Sequence, residues 1–255
     1  MSPTPVVARV VVGKFDPSRV FPLGDKLTLP LLRLMLATDD ARYVGMLLVM
    51  TNHQVSQATG TTQGALSGGQ MWYLFRLLCL HLKEAHNALN TVPKSSLTSL
   101  FSDRPEGRKA MERFRSAIAT DAFITNVRDS IVAHYKQVDI ERVYARDLAA
   151  GTVEGAVVAC EVGVLSRSTM TDLIALHLLD EAALSDGGGG DDEFSKRCGA
   201  VTDLVEDLST FVGHLVDALL KRHGVEKTYD TIEVPALFRA ARDAIEQSRA
   251  QGQEE

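Results

Sequence analysis

The segment Val127-Arg128-Asp129-Ser130-Ile131-Val132-Ala133-His134-Tyr135 sets an arginine, a carboxylate and a histidine into an otherwise apolar stretch. A guanidinium stays charged at every ordinary pH, and an imidazole titrates near neutrality, so the two together suit work on an anion that also requires a proton to move. On a helix Arg128 and His134 stand about 9 Å apart along the axis and about 120° apart around it. They therefore do not stack. They flank the apolar stripe from its two edges, a pattern expected of a cleft or a self-association surface. The bland reading is an Arg128 paired with Asp121, Asp129 or Glu161 and a satisfied helix histidine beside Tyr135.

A second group is basic. From about Pro105 to Ala119 the pattern is an amphipathic helix with Met111, Phe114 and Ile118 on one face. At about 100° per residue Arg104, Arg108 and Arg115 fall within about 40° of one another, with Lys109 and Arg113 on the other flank. Such a face is either merely solvated or a local patch for an anionic ligand.

These residues need elements to hold them. Residues 1–26 carry four prolines and one β-branched run, Val6 to Val12, and read as an extended arm with at most one strand. Leu31 to Leu36 form an apolar helical stretch, and Thr38-Asp39-Asp40 supply cap chemistry for a second helix through Met50. The Gly/Ser/Thr/Gln-rich residues 54–70 read as a loop, without the GxxxxGK[ST] of a phosphate cradle. A central helix follows from about Gln70 to Asn90, apolar around much of its circumference. On it His81 and His86 stand about 140° apart, which suits packing or surface roles rather than a metal-binding row.

Residues 93–104 read as a loop. The helix carrying Arg128 and His134 starts at the Thr120-Asp121 cap and reaches about Val138. Gly155 to Val164 is β-branched enough for a minor β element, and Ser168 to Leu184 is helical again. Gly187 to Gly190, followed by three acidic residues, break the pattern as a flexible linker. Two further helices, at about 192–223 and 235–250, complete the chain.

Composition bounds the function. The 255 residues are 45% hydrophobic, with 27 Lys+Arg against 33 Asp+Glu and a net charge of −6. Indiscriminate duplex binding rests on phosphate neutralisation by many cations, so an acidic chain is a poor candidate for it. Residues 104–149 run the other way, at +2, so any contact with nucleic acid is local to that segment. Three separated cysteines without a CxxC, no charged start leading into an apolar core, and a longest apolar run of only Val44 to Met50 point to a cytoplasmic protein outside the membrane. ExxH pairs, HExxH, a strand-borne GxGxxG and GxSxG are all absent, so no metal and no cofactor is expected.

The stretch RDSIVAH resembles the R-x(4–6)-H signature of the HEPN superfamily, with Asp129 as the polar residue that follows the arginine. The long Leu-rich helix before it, MWYLFRLLCLHL, is similar to the superfamily's arrangement, and the resemblance spans about residues 28–184. It implies a mainly α, HEPN-like helical bundle, commonly dimeric, in which motif helices of two protomers form a composite cleft. Active members are metal-independent endoribonucleases of toxin–antitoxin and other defence systems, whereas others bind nucleotides or serve as scaffolds. Carried onto this chain, Arg128 and His134 would be the active pair and Asp129 the residue that orients them.

On that resemblance His134 would serve as general acid/base and Arg128 as the phosphate-binding group, the 2′-OH of RNA attacking the adjacent phosphorus. Arg104, Arg108, Arg115 and Tyr135 would contact the RNA. The expected partners are a second copy of the chain, RNA or a nucleotide, and an antitoxin protein. The expected organisation is an arm at 1–26, a HEPN-like helical domain at 27–184, a Gly/Asp-rich linker at 185–193 and a C-terminal helical extension at 194–255. The alternative is a non-catalytic module that binds a nucleotide, RNA or protein through the same surfaces.

Overall fold

A computed structural model describes residues 7–56, 61–127, 142, 145–146, 149–150, 157–159, 166–168 and 191–233. Arg128, Asp129, His134 and Tyr135 lie outside them, as do the tetraglycine, the helix expected at 235–250 and residues 169–184 of the helix expected at 168–184, whose first residue, Ser168, is instead in a strand. The described chain is mainly helical. In order it comprises β1 (Val7–Gly13), α1 (Pro17–Val20), α2 (Thr28–Ser56), α3 (Thr61–Thr91), α4 (Lys94–Leu100), α5 (Pro105–Thr120), α6 (Ala122–Asn126), β2 (Val157–Ala159), β3 (Ser166–Ser168), α7 (Asp191–Arg222) and β4 (Lys227–Glu233).

Each long helix is placed by an apolar stripe recurring every three or four residues. On α2 the buried set is Leu31, Leu34, Ala37, Ala41 and Val44; on α3 it is Phe75, Leu78, Cys79, Leu82, Ala85 and Leu89. On α5 it is Ala110, Met111, Phe114 and Ile118, and on α7 Val201, Leu204, Leu208, Phe211, Leu215 and Leu219. These stripes converge on one core. Phe114 meets Phe211 with ring centroids 5.5 Å apart, and Phe75 meets Phe123 at 6.0 Å, both tilted as aromatic pairs prefer. Truncating one of these fully buried rings to alanine is expected to cost about 3–5 kcal/mol.

Helices α2 and α3 form one packed pair, α5 and α7 another, and α3 and α2 also meet α7. Three tie points fix α5 and α7 as antiparallel: Arg104 with Asp217, Gly107 against His214, and Arg113 with Asp207. The partners' numbers fall as those on α5 rise, by a nearly constant sum, so the two helices stay in register along the length these ties span.

Four expectations are corrected. Helix α2 does not break at Thr38-Asp39-Asp40, because the Thr38 hydroxyl is buried and donates 2.7 Å to the carbonyl of Leu34 one turn back. That i−4 bond satisfies the threonine inside a continuous helix instead of capping a new one. Of residues 54–70, read as a loop, 54–56 continue α2 and 61–70 already belong to α3. Residues 93–104 are not all loop: α4 forms because Leu97 and Leu100, with Phe101, bury an i, i+3, i+4 stripe.

The C-terminal extension, expected to be helical with helices at about 192–223 and 235–250, also holds strand β4 between those two ranges, which pairs antiparallel with β1 from Val7↔Glu233 to Gly13↔Lys227. The β-branched run near the start of the chain thus finds its partner more than 200 positions later. Residues 157–159 pair antiparallel with 166–168. No helix among the described residues is long and apolar enough to cross a membrane.

Candidate functional site

The cap that opens the motif-bearing segment is present. Asp121 ends α5 and its carboxylate accepts from the backbone N–H of Ile124, 3.2 Å away, starting α6. Phe123, Ile124 and Val127 are fully buried. Arg128 follows Val127 directly in the chain, beyond the described residues.

Helix α5 holds the basic candidates, and it separates them. Arg104 is the residue before the first helical position, with φ −133° and ψ 70°, followed by Pro105 at N1. Its guanidinium leaves the α5 face to reach Asp217 of α7 at 2.6 Å and Asp103 at 2.9 Å, and its side chain is only 10% exposed. Lys221 joins the cluster through Asp103 at 3.3 Å. Hydrogen bonding from Lys221, then from Arg104, holds the Asp103 carboxyl below its ordinary range. Arg104 is therefore a clamp between α5 and α7.

On the other flank, Arg113 pairs with Asp207, and its pKa is raised first by the hydrogen bonds and then by the charge of that carboxylate. Both clamps tie α5 to α7.

Arg108 and Arg115, two turns apart, do come together. They line a groove between α4 and α5 of about 170 Å³, with Lys94, Thr98 and Glu112 as the other polar walls and Leu97, Phe101 and Met111 as apolar ones. Arg108 donates from Nε to Glu112 at 2.9 Å, an i, i+4 pair on an exposed turn. Among the described residues the buried Arg115 Nε has no hydrogen-bond partner. A buried donor left unpaired costs free energy, so this nitrogen is a standing demand for an acceptor.

Three cations against one carboxylate leave the groove with a net charge of +2 in a chain whose total is −6. Drug-sized ligands need roughly 300–1,000 Å³. The groove suits a smaller group, of the size of one phosphate, with the rest of its molecule outside. Lys94 is the member that sequence reasoning missed; the Leu97, Leu100 and Phe101 spacing was the signal that could have placed it on a helix.

His86 of α3 is 8% exposed, with the Asn90 amide nitrogen 3.3 Å from its Nε2. Burial first, then the charges of Lys83 and Arg115, push its pKa below the ordinary histidine value. His86 is thus a neutral packing residue near pH 7, in keeping with the packing role expected for it. His81 is partly exposed, 3.6 Å from Asp40. Among the described residues no cluster of His, Cys, Asp or Glu is arranged to hold a metal ion, and the Cys79 side chain is buried in the core.

No family model matches this chain, and no curated protein or solved structure is significantly similar to it.

Proposed function

We propose that this protein binds RNA through the groove between α4 and α5 and cleaves it without metal through Arg128 and His134. The observation that carries the binding half is the groove itself: Lys94, Arg108 and Arg115 converge beside a buried, unpartnered Arg115 Nε. A guanidinium fork and an ammonium match the charge and geometry of a phosphodiester. The small volume favours one phosphate of a flexible single strand over an enclosed ligand. Tyr135 offers a ring on which a base can stack.

The cleavage half rests on the resemblance of RDSIVAH to the HEPN motif. In that reading the bundle is HEPN-like and two copies bring their motif segments together. His134 takes the proton from the 2′-OH as the oxygen attacks phosphorus, or returns one to the departing 5′-oxygen. Arg128 neutralises the phosphate, and Asp129 orients the pair. A cytoplasmic toxin or defence component, held in check by an antitoxin protein, is the biological setting that follows from the resemblance.

The groove also supports a second reading, a non-catalytic module that holds RNA or a nucleotide, since it needs neither Arg128 nor His134. The two are separated by incubating the protein with total RNA and tRNA in EDTA. The ribonuclease reading predicts cleavage that is lost in His134→Ala and in Arg128→Ala. Binding without cleavage by the unmodified protein leaves the module.

A further inference from the structure

Helix α2 turns its core stripe toward α3 and α7, yet its opposite face is also apolar. Leu29, Leu36 and Tyr43, seven residues apart, are 68%, 66% and 54% exposed. Between and beyond them Leu32, Met46 and Met50 are half-buried and Asp39 is exposed. The positions 29, 32, 36, 39, 43, 46 and 50 alternate by three and four, the spacing of a coiled-coil seam. At about 100° per residue they span about 100° of the helix, opposite Leu34 and Ala41, over a length of about 30 Å. One helical seam of large apolar side chains in water is the signature of a partner helix.

The charges beside the seam choose the partner. Arg33 and Asp40 border it on the α3 side, both exposed, with loose contacts of 3.9 Å to Glu84 and 3.6 Å to His81. A second α2 laid parallel would place Asp39 directly against Asp39, like charge on like in the seam itself. A second α2 laid antiparallel places Leu29 over Met46, Leu32 over Tyr43 and Leu36 over Asp39. That register brings Arg33 of each copy to Asp40 of the other. The sequence of the seam is therefore self-complementary under a two-fold axis, as an isologous dimer requires.

We propose that α2 is a homodimer interface in which two copies of the chain pair antiparallel along the Leu29 to Met46 seam. The proposal does not depend on the RNA reading. A single helix pair of this length lies at the small end of stable interfaces, so the dimer is expected to form in the micromolar range.

The test is sedimentation equilibrium of the full chain across a concentration series. The expected result is a reversible monomer–dimer equilibrium, with Leu36→Glu raising the dissociation constant about tenfold or more while circular dichroism is unchanged. Arg33→Asp alone weakens the dimer, and the swap of Arg33→Asp with Asp40→Arg restores it. A monomer at every concentration overturns the proposal, as does a dimer that Leu36→Glu leaves intact, which would place the contact elsewhere on the chain. Weakening by Arg33→Asp with no recovery in the swapped variant contradicts the antiparallel arrangement.

Discussion

Gly107 of α5 lies so close to His214 of α7 that a Cβ built on it would stand 2.5 Å from the histidine Cβ and 2.9 Å from a ring carbon of Phe101. The helices approach at this point because the glycine has no side chain, and the two salt-bridge clamps at Arg104 and Arg113 lie on either side of it.

Gly107→Ala is therefore expected to destabilise the fold by about 1–3 kcal/mol, despite the higher helix propensity of alanine. The clash involves a Cβ bonded directly to the α7 backbone, which cannot swing aside. Urea denaturation measures it, and an unchanged or raised midpoint would contradict the close packing of α5 on α7.

Arg104 and Arg115 should part company in function. Arg104→Ala leaves Asp217 without this partner in a part-buried position and is expected to cost about 1–3 kcal/mol of stability, with RNA binding little changed. Arg115→Ala removes an unpaired donor and is expected to be nearly neutral or slightly stabilising while weakening RNA binding. Thermal unfolding and RNA titration of the two variants, run side by side, check this double dissociation.

Acid should act through His86. Its folded-state pKa lies below the ordinary value of 6.5, so below that pH the unfolded chain binds more protons than the folded one. The stability that the neutral His86 contributes is complete above pH 6.5 and is lost as pH falls through its lowered folded value. Urea midpoints measured from about pH 7.5 to about pH 5 are expected to fall, and less steeply in His86→Gln. An equal slope in both proteins would move the acid sensitivity to another group.

The fold was legible where one stripe decides. Met111, Phe114 and Ile118 placed α5 to within a residue, and the helix expected at about 192–223 coincides with α7 to within a residue at each end. It was illegible where a local signal competes with distant packing. Thr38-Asp39-Asp40 looks like a cap, but Thr38 is buried and bonds back to Leu34. The glycines of residues 61–70 resemble loop punctuation and lie in α3. Strand β4 carries strand-forming residues, yet it is the pairing with β1, near the other end of the chain, that makes it a strand.

The basic face shows the same limit at the level of the site. Helical geometry grouped Arg104 with Arg108 and Arg115, but a residue before the first helical turn does not obey the 100° rule, and Asp217 captured its side chain. Lys94 entered the groove only because α4 folds against the core.

The claim that this groove receives an RNA phosphate is tested most directly by fluorescence anisotropy of a short labelled single-stranded RNA, titrated with the unmodified protein and with Arg115→Glu at several salt concentrations. Binding is expected to be saturable and salt-dependent, and weakened about tenfold or more by Arg115→Glu. The salt slope becomes shallower by about 0.7 for each phosphate that the variant no longer neutralises. Equal affinity and equal slope in the two proteins would contradict it.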